Sequence, residues 1–493
     1  MFKNAFFVFA TFLVIAISCA KMTDTTVTPA VTTTPSTTGS TYNELWIPPT
    51  ITGTTFNLTL DKSTKQLKTG NATKTYGYNK SDFWGPTLIM NKGDLVQMNV
   101  TNNLSDVTTT HWHGFHIPAM MDGGPQQMID PGTTWKPSFE IKNNAGTYWY
   151  HPHLHEKTFE HIIYGAGGFI IIKDPVESAL ALPRTYGTDD IPLVLSSRRF
   201  NTDNSFTTTI HAYGDYALAN GALNAQVSLP KQMVRFRILN AEIERGYNLG
   251  FSGNRTFYVV TNDGGLLDAP VAVTRVKLAV GERAEILVDL SKDAVGASLD
   301  MKAYNANQEM GFGGGEPQTS GQFGSLLNNK DFNVLNISVK AATVGAITAV
   351  PTKLTTNSYW KETDATYTRK IAITGGQAGS AFSFDNNFYN IKTINQTVKL
   401  NTIEKWTVTN NMVFGHSFHI HNIQFKIVSR SSAGGIATYE SGWKDTFYIR
   451  PNETVSVVAK FDDFAHGSNA YMYHCHFPNH EDEGLMGQFL VTQ

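Results

Sequence analysis

The sequence predicts an all-β protein made of three consecutive, related β-sandwich domains. Its 493 residues include 41 Gly and only 16% charged residues, with many Thr, Val, Tyr and Phe, which is typical of strands and turns. A strand motif ending in Asn occurs three times, at 96–102, 234–240 and 404–410. Apolar and polar residues largely alternate in each copy, which predicts one face in a core and one in water. Because the copies lie a domain length apart, we infer three repeated sandwiches rather than a solenoid.

The predicted boundaries follow from composition along the chain. Residues 1–18 contain Lys3 and an apolar run too short to span a bilayer, which predicts a signal peptide and export. Residues 19–41 begin with Cys19 and are then rich in Thr, Ser and Pro, which predicts an unfolded tether. We assign sandwiches to residues 42–175, 176–345 and 346–493. The second contains one histidine, His211, and no cysteine, so we expect it to be a spacer.

The amino-terminal segment and the charge limit location and partners. Cys19 follows the apolar run as in a bacterial lipoprotein, so we expect a periplasmic or cell-envelope lipoprotein that contacts a membrane only through this anchor. Cleavage near Ala20 to a soluble periplasmic protein is the alternative. The formal net charge of −2 provides no basic surface for nucleic acid, and we exclude that class of partner. We expect a monomer.

Two near-copies of one phrase lie at opposite ends of the chain, Tyr-Trp-Tyr-His-Pro-His at 148–153 and Tyr-Met-Tyr-His-Cys-His at 471–476. Each has an upstream His-x-His pair, at 111–113 and 419–421. Side chains two residues apart on a strand project the same way, so each pair can hold one metal site. In 474–476 this alternation turns the thiolate of Cys475 away from both neighbouring imidazoles. Cys475 can therefore bind one ion while His474 and His476 bind others.

The donor set favours copper. Thiolate with imidazole is a soft set, and two His with one Cys in a trigonal arrangement is the blue-copper pattern. A single His-x-His on a strand is more often structural or a zinc site, but four such motifs occur here in order. The candidate ligands are His111, His113, His151, His153, His416, His419, His421, His474, Cys475, His476 and His480.

These motifs resemble those of the multicopper oxidase family, the laccase-like three-domain cupredoxins, and among them the bacterial copper-efflux oxidases most, over residues 42–493. The resemblance implies cupredoxin-like Greek-key sandwiches and four copper ions, one of type 1, one of type 2 and a type 3 pair. Position by position, it assigns type 1 copper to His416, Cys475 and His480, and type 2 copper to His111 and His419. It assigns the type 3 pair to His113, His151, His153, His421, His474 and His476.

One position departs from the copper-efflux oxidases. Their tenth residue after the cysteine is an axial methionine, whereas here it is Leu485. Met486 is one residue further and should point to the opposite face of a strand. Without the weak axial sulfur, type 1 copper is three-coordinate and more oxidising, so we expect a relatively high potential.

Three acids also match the family. Asp122 and Glu481 occupy positions where the family keeps acids that supply protons to oxygen intermediates, and a solvated or turn carboxylate is the alternative for each. Asp445 looks like the acid that orients a type 1 histidine. His155 extends the second motif, but the family uses only the first two histidines there, so we expect a role outside the ligand set.

The resemblance implies an oxygen-dependent oxidoreductase. A reducing substrate would give single electrons at the exposed edge of His416 or His480, and these would cross through Cys475 to reduce dioxygen to water. The 13 Met form no Met-rich run, which favours phenolic or aromatic donors, with cuprous or ferrous ion as the alternative. Two alternatives to an enzyme remain: a non-enzymatic scaffold protein and a protein that stores copper. Copper nitrite reductases are two-domain chains without this His-Cys-His link.

Overall fold

The computed structural model describes residues 42–309, 311–375 and 382–493. The predicted signal peptide and tether, with Cys19, lie outside these residues. Within them, no helix is both long enough and apolar enough to cross a membrane. The α-helices are Thr158–Ile163, Pro175–Ser178 and Pro478–Asp482, and the 3-10 turns are Ala119–Met121, Ser252–Asn254, Glu362–Asp364 and Thr438–Glu440. The remaining regular structure is β-sheet, as the composition predicts.

Two sheets enclose the first core, which contains Leu58, Met98, Trp112 and Ile170. In spatial order, one sheet consists of Thr50–Thr52, Thr87–Asn91, Gly168–Lys173, Gly146–His151 and His111–His113. The other consists of Thr73–Tyr78, Thr55–Lys65, Leu95–Asn102 and Thr134–Trp135, with Ser138–Glu140 also paired to Leu95–Asn102. Both metal motifs of this half therefore lie on neighbouring strands of one sheet.

The middle core contains Leu193, Phe236, Ile286 and Ile337. Its first sheet consists of Asn43–Glu44, Ala225–Pro230, Asp331–Lys340, Ser298–Tyr304, Tyr247–Phe251 and Val276–Leu278. Its second consists of Ala222–Leu223, Tyr216–Ala219, Asp190–Arg198, Met233–Asn240, Arg283–Asp289, Phe257–Asn262 and Gly265–Val273.

The third core contains Trp406, Val457, Phe418 and Cys475. One sheet consists of Phe382–Phe384, Tyr367–Gly375, Thr402–Asn410, Thr454–Phe461 and Phe425–Arg430. The other consists of Gln396–Lys399, Met486–Thr492, Tyr471–Cys475, His416–Ile420 and Thr446–Ile449. The carboxy-terminal motifs again lie on adjacent strands, because His419 pairs with His474 across the sheet.

The predicted boundaries at 42 and 346 do not coincide with these cores. Asn43–Glu44 pairs with Ala225–Pro230 in the middle unit, and Leu45 is buried in the middle core. Leu354 is also buried there. Both segments can join the middle unit although they lie outside its predicted range, because a short strand can pair with a sheet, and an apolar side chain can enter a core, from elsewhere along the chain. Composition does not reveal such contacts.

The middle copy of the strand motif departs from the predicted alternation. Every residue of Met233–Asn240 is buried. Arg235 and Arg237 do not face water but lie against acids, with Arg235 Nη1 2.7 Å from Glu177 Oε1 and Arg237 Nη1 2.8 Å from Glu285 Oε1. The polar face of this strand therefore forms a buried ionic layer.

Candidate metal centre

Cys475, His416 and His480 form a buried trigonal set at the end of the third core. Cys475 Sγ lies 3.5 Å from His416 Nδ1 and 3.6 Å from His480 Nδ1, and the two nitrogens are 3.1 Å apart. Metal–nitrogen bonds of about 2.0 Å and metal–sulfur bonds of about 2.3 Å put the donors of a trigonal site about 3.5 Å apart. The three side chains are thus already arranged as a single ion requires.

The aromatic and apolar surroundings of this set come from several elements. His416 lies on the strand His416–Ile420, whereas His480 lies on the helix Pro478–Asp482 directly after the cysteine strand. The Phe382 ring packs on His480 with centroids 4.0 Å apart. The Leu485 carbonyl accepts a hydrogen bond from Cys475 N at 3.0 Å.

The imidazoles of this set are almost completely buried, contrary to the expectation of an exposed edge for donor access. His416 is 0% exposed and His480 is 3% exposed. His211 covers His480, with ring centroids 5.6 Å apart. Glu244 Oε1 lies 4.0 Å from His480 Nε2. Both covering residues come from the segment predicted to be a spacer.

His211 is held by two carboxylates. Its Nδ1 lies 2.7 Å from Glu244 Oε1 and its Nε2 lies 3.3 Å from Glu483 Oε1. Burial by itself lowers the pKa of His211, but the hydrogen bonds to Glu244 and Glu483 raise it to about 9. A cation flanked by two acids therefore lies beside His480 at neutral pH.

Eight imidazoles from the first and third cores converge in a second buried cluster. The strand pairing explains part of this, since His151 lies opposite His111 and His474 opposite His419. Between the two halves, His476 Nε2 lies 3.0 Å from His113 Nδ1, and His153 Nε2 lies 3.1 Å from His421 Nε2. The structure brings together His111, His113, His151, His153, His419, His421, His474 and His476. All ten sequence-predicted histidines and Cys475 thus lie in one of the two clusters.

Carbonyl groups fix which nitrogen of several imidazoles faces inward. His111 Nδ1 donates to the Asp122 carbonyl at 2.8 Å, and His419 Nδ1 donates to the Asp445 carbonyl at 2.8 Å. His151 Nδ1 donates to the Pro152 carbonyl at 2.9 Å. Because a carbonyl oxygen only accepts, each Nδ1 carries the hydrogen and each Nε2 keeps a lone pair.

The two aspartates occupy equivalent places in the two halves. The Asp122 carboxylate reaches across to His421 Nδ1 at 2.6 Å, while the Asp445 carboxylate reaches across to His113 Nε2 at 3.2 Å. The sequence prediction for Asp445 was therefore wrong in its partner, since this acid orients His113 and His419 in the eight-histidine cluster rather than a type 1 histidine. Strand pairing explains the error, because Thr446 lies opposite His419.

Glu481 contacts the same cluster from the helix Pro478–Asp482. Its Oε1 lies 2.7 Å from His153 Nδ1 and accepts from Thr158 Oγ1 at 2.5 Å, and its Oε2 lies 3.4 Å from His474 Nδ1. Burial raises the pKa of Glu481. Both Glu481 and Asp122 are buried beside imidazoles, so neither is a solvated surface carboxylate.

The chemistry of the donors tests whether a metal fits. His111 Nε2, His151 Nε2 and His419 Nε2 are buried without a hydrogen-bond partner among the described residues. Three further Nε2 atoms face one another at 3.1 and 3.2 Å, in His153, His421 and His474. Lone pairs at this distance repel unless a cation lies between them, so the cluster fits metal ions.

The protonation states also fit. Burial lowers the pKa of His416 and of His474 to about 3 and holds that of His419 well below its usual value, so these imidazoles stay neutral. Burial raises the pKa of the Cys475 thiol. A metal ion must then displace the thiol proton, as metal binding to cysteine does.

Sequence reasoning missed several residues that touch the clusters. Gly281, with φ of 86°, leaves room for the His476 ring, because a Cβ there would lie 2.9 Å from its Cγ. Arg283 binds both carboxylate oxygens of Asp445 at 2.7 and 2.6 Å. These residues are in no motif and lie far along the chain from their partners. His155 lies against the ring of Tyr389.

Fold and site together define a cupredoxin-type metalloprotein in which a Cys-His₂ site adjoins an eight-histidine cluster. Family models described as multicopper oxidase match residues 59–177 and 359–493. Multicopper oxidase mco from Staphylococcus aureus is 31% identical over 448 residues, with 89% of this chain and 88% of the relative covered. The chain belongs to the multicopper oxidase family.

Two further similarities bear on function. A laccase-like multi-copper oxidase from Ochrobactrum sp., with oxidase activity towards lignin model compounds and lignosulfonate, has a solved structure with a TM-score of 0.81 and 29% identity, covering 91% of this chain and all of that one. Cell division protein FtsP from Sodalis glossinidius is 30% identical, covering 88% of each chain. The family implies an oxidoreductase that binds copper.

Proposed function

We propose that the protein is an oxygen-dependent, laccase-like multicopper oxidase that holds four copper ions. The type 1 ion would bind Cys475, His416 and His480, and the type 2 ion would bind His111 and His419. The type 3 pair would take the other histidines: His113, His151, His153, His421, His474 and His476. One observation carries this proposal. The tripeptide 474–476 contributes its thiol to the Cys-His₂ site and both imidazoles to the eight-histidine cluster.

The reaction follows from what copper provides in this donor set. Copper held at these sites supplies one-electron redox steps and the four-electron reduction of dioxygen. Four donor molecules would each lose one electron, and dioxygen would take up four electrons and four protons to give two waters. The backbone and side chain of Cys475 provide the covalent path between the two sites. Because the cluster imidazoles are buried, bulk water is excluded from partly reduced oxygen.

Two acids are suited to hold protons at the cluster. Glu481 has a raised pKa because it is buried, and its Oε1 contacts both Thr158 Oγ1 and His153 Nδ1. Asp122 contacts His421 through Oδ2, while its Oδ1 is without a hydrogen-bond partner among the described residues. Glu481 can therefore hold a proton beside His153, and Asp122 places a carboxylate oxygen beside His421.

An aromatic donor is the proposed substrate. One ring contacts the proposed type 1 residues, since Phe382 packs on His480. Further out, Phe323 lies 4.8 Å from His211, which covers His480, and 5.3 Å from Phe414 by centroid. Such walls suit a phenol, whose ring can stack on them. The Ochrobactrum relative, which oxidises lignin model compounds, supports the same class.

Oxidation of cuprous or ferrous ion is the alternative for the same site. The buried carboxylate of Glu244 lies 4.0 Å from His480, and the partly exposed carboxylate of Glu483 lies 3.3 Å from His211. Carboxylate oxygens attract cations, although both are already paired with His211. A role that involves no catalysis is the alternative from a different class of function, and the similarity to FtsP favours it.

An oxygen electrode tests the proposal with copper-loaded protein. We expect one dioxygen consumed per four phenol molecules oxidised, and a lower kcat/KM with Cu(I) or Fe(II). Cys475→Ser should lose the blue absorption and at least a thousandfold of the rate, as expected when a one-residue electron path is removed. His466→Ala, at an exposed position, is the matched control. Copper uptake without oxygen consumption by any donor would favour the non-enzymatic role, and faster turnover of the metal ions would favour the alternative substrate.

A further inference from the structure

Arg283 is a fully buried residue of the middle unit with all five N–H groups used. Its Nε donates to the Thr147 carbonyl at 3.1 Å, and its two terminal nitrogens donate to the carbonyls of Gly281 at 3.1 Å and Asp263 at 3.0 Å. The remaining two N–H groups bind Asp445 Oδ1 at 2.7 Å and Oδ2 at 2.6 Å. Thr147 is in a sheet of the first core, and Asp445 precedes a strand of the third. One guanidinium thus joins all three units.

Asp445 in turn contacts two candidate copper ligands. Its Oδ1 lies 3.2 Å from His113 Nε2, and its main-chain carbonyl accepts from His419 Nδ1 at 2.8 Å. Thr446 Oγ1 donates to the same Oδ1 at 2.9 Å. With both oxygens bound by Arg283, the carboxylate cannot rotate without breaking a charge-assisted hydrogen bond.

We propose that Arg283 is a positioning residue of the eight-histidine cluster. By holding the Asp445 carboxylate with a two-pronged hydrogen bond, it makes His113 present Nδ1 to the metal. It also fixes the residue whose main-chain carbonyl makes His419 present Nε2. This inference rests on the proposed copper cluster but assigns the middle unit a role that the ligand motifs do not. The unit fixes ligand orientation across the interface between the other two.

The equivalent acid of the other half shows what the guanidinium adds. Asp122 accepts from His111 through its carbonyl and contacts His421 through Oδ2, as Asp445 does with His419 and His113. Its Oδ1 has no hydrogen-bond partner among the described residues. Asp122 Oδ1 lies 3.4 Å from His111 Nδ1 but accepts no hydrogen bond from a described residue, whereas both oxygens of Asp445 are fixed. The same acid–histidine arrangement is therefore held by a guanidinium only on the side of Asp445.

Arg235 provides a matched control. It is also a fully buried arginine of the middle unit, and it also binds two acids, with Nη1 2.7 Å from Glu177 and Nε 2.8 Å from Glu285. The contacts described for Arg235 reach no candidate ligand. Arg→Lys at either position keeps the charge and loses the planar fork. A purely structural role for Arg283 would make the two substitutions behave alike.

The test uses copper-loaded full-length protein and its Arg283→Lys, Arg283→Gln and Arg235→Lys variants. The blue absorption of type 1 copper, which Arg283 does not touch, reports an intact fold. We expect Arg283→Lys to keep that band while the type 2 electron paramagnetic resonance parameters change. Its cluster copper should be lost to a chelator at about tenfold lower chelator concentration, the usual effect of removing a residue that orients a ligand. Arg235→Lys should lower the unfolding temperature and keep the wild-type spectrum.

Several outcomes would overturn the inference. One is that Arg283→Lys keeps both the type 2 spectrum and the copper retention of the wild-type protein. Another is that Arg235→Lys shows the same spectral change as Arg283→Lys. If the Arg283 variants do not fold, Asp445→Asn tests the same link, because it preserves shape but weakens the contact to His113, and an unchanged spectrum there would also refute it. Wild-type protein that binds only type 1 copper would instead refute the proposed function.

Discussion

Leu485 lies beside Cys475 where the strands Tyr471–Cys475 and Met486–Thr492 meet. Met486 pairs with His474, and one residue beyond that pair Cys475 N donates to the Leu485 carbonyl at 3.0 Å. Opposed residues of an antiparallel pair share a face. Leu485 is therefore on the face of the thiol, whereas Met486 is on the face of His474. This register supports the expectation of an apolar axial neighbour.

Replacing Leu485 by Met should lower the type 1 potential. The added thioether can approach the ion as a weak axial ligand, which stabilises the oxidised state. We expect a decrease of about 60 mV, equivalent to a tenfold change in a one-electron equilibrium. Redox titration of the blue band measures it. Met486→Leu is the control and should leave the potential unchanged, and an unchanged or raised potential in Leu485→Met would contradict the axial assignment.

The residues that sequence could predict are those that belong to a recognisable ligand motif. Residues 474–476 specify two sites because alternation along one strand is a local property. The partners of Asp445 and Arg283 are not local, since His113 lies 332 residues from Asp445 and Arg283 lies 162 residues from it. Their contacts arise only when three units pack, and no periodicity in the chain encodes that packing.

At the scale of elements, the three copies of the strand motif end in an asparagine that makes the same hydrogen bonds in each. Asn102, Asn240 and Asn410 are each buried. In each, Oδ1 accepts from the backbone N–H two residues on, at 2.9, 3.1 and 2.9 Å. In each, Nδ2 donates to two main-chain carbonyls, for example Asn410 to Phe414 at 2.7 Å and Arg450 at 3.0 Å. The repeat seen in sequence is thus a repeated loop anchor.

Asn410→Ala should loosen the loop that leads to His416. It removes two donors and an acceptor, leaving buried carbonyls unpaired, so we expect unfolding free energy to fall by about 1–3 kcal/mol. Denaturant unfolding of the copper-free protein measures this. Asn102→Ala should be destabilising to a similar degree.

The two variants should differ in their spectra. Only the Asn410 loop leads directly to a type 1 ligand, so Asn410→Ala should broaden or shift the blue band after copper loading while Asn102→Ala leaves it in place. Equal blue bands in both variants would show that the anchor stabilises the fold without positioning His416.

At the scale of the whole molecule, the middle unit contacts both candidate metal sites. Glu244 and His211 lie beside His480, and Gly281 lies against His476. The Val280 carbonyl also accepts from Ser417 Oγ, next to His416, at 2.6 Å. The absence of ligand motifs in residues 176–345 predicts a spacer that supplies no metal ligand, and this stays a prediction. It does not predict that the unit shapes the surroundings of those ligands.

Copper should stabilise the contact between the first and third units, because the cluster takes imidazoles from both. A ligand that binds only the folded state adds about 4 kcal/mol to the free energy of unfolding when its free concentration is about 1,000 times the Kd. We therefore expect chelation to lower the unfolding temperature, as measured by calorimetry. Hydrogen exchange should quicken in His111–His113 and His416–Ile420 after chelation, while Ser298–Tyr304 in the middle unit stays protected. Equal exchange in these strands with and without copper would contradict a cluster shared between the two units.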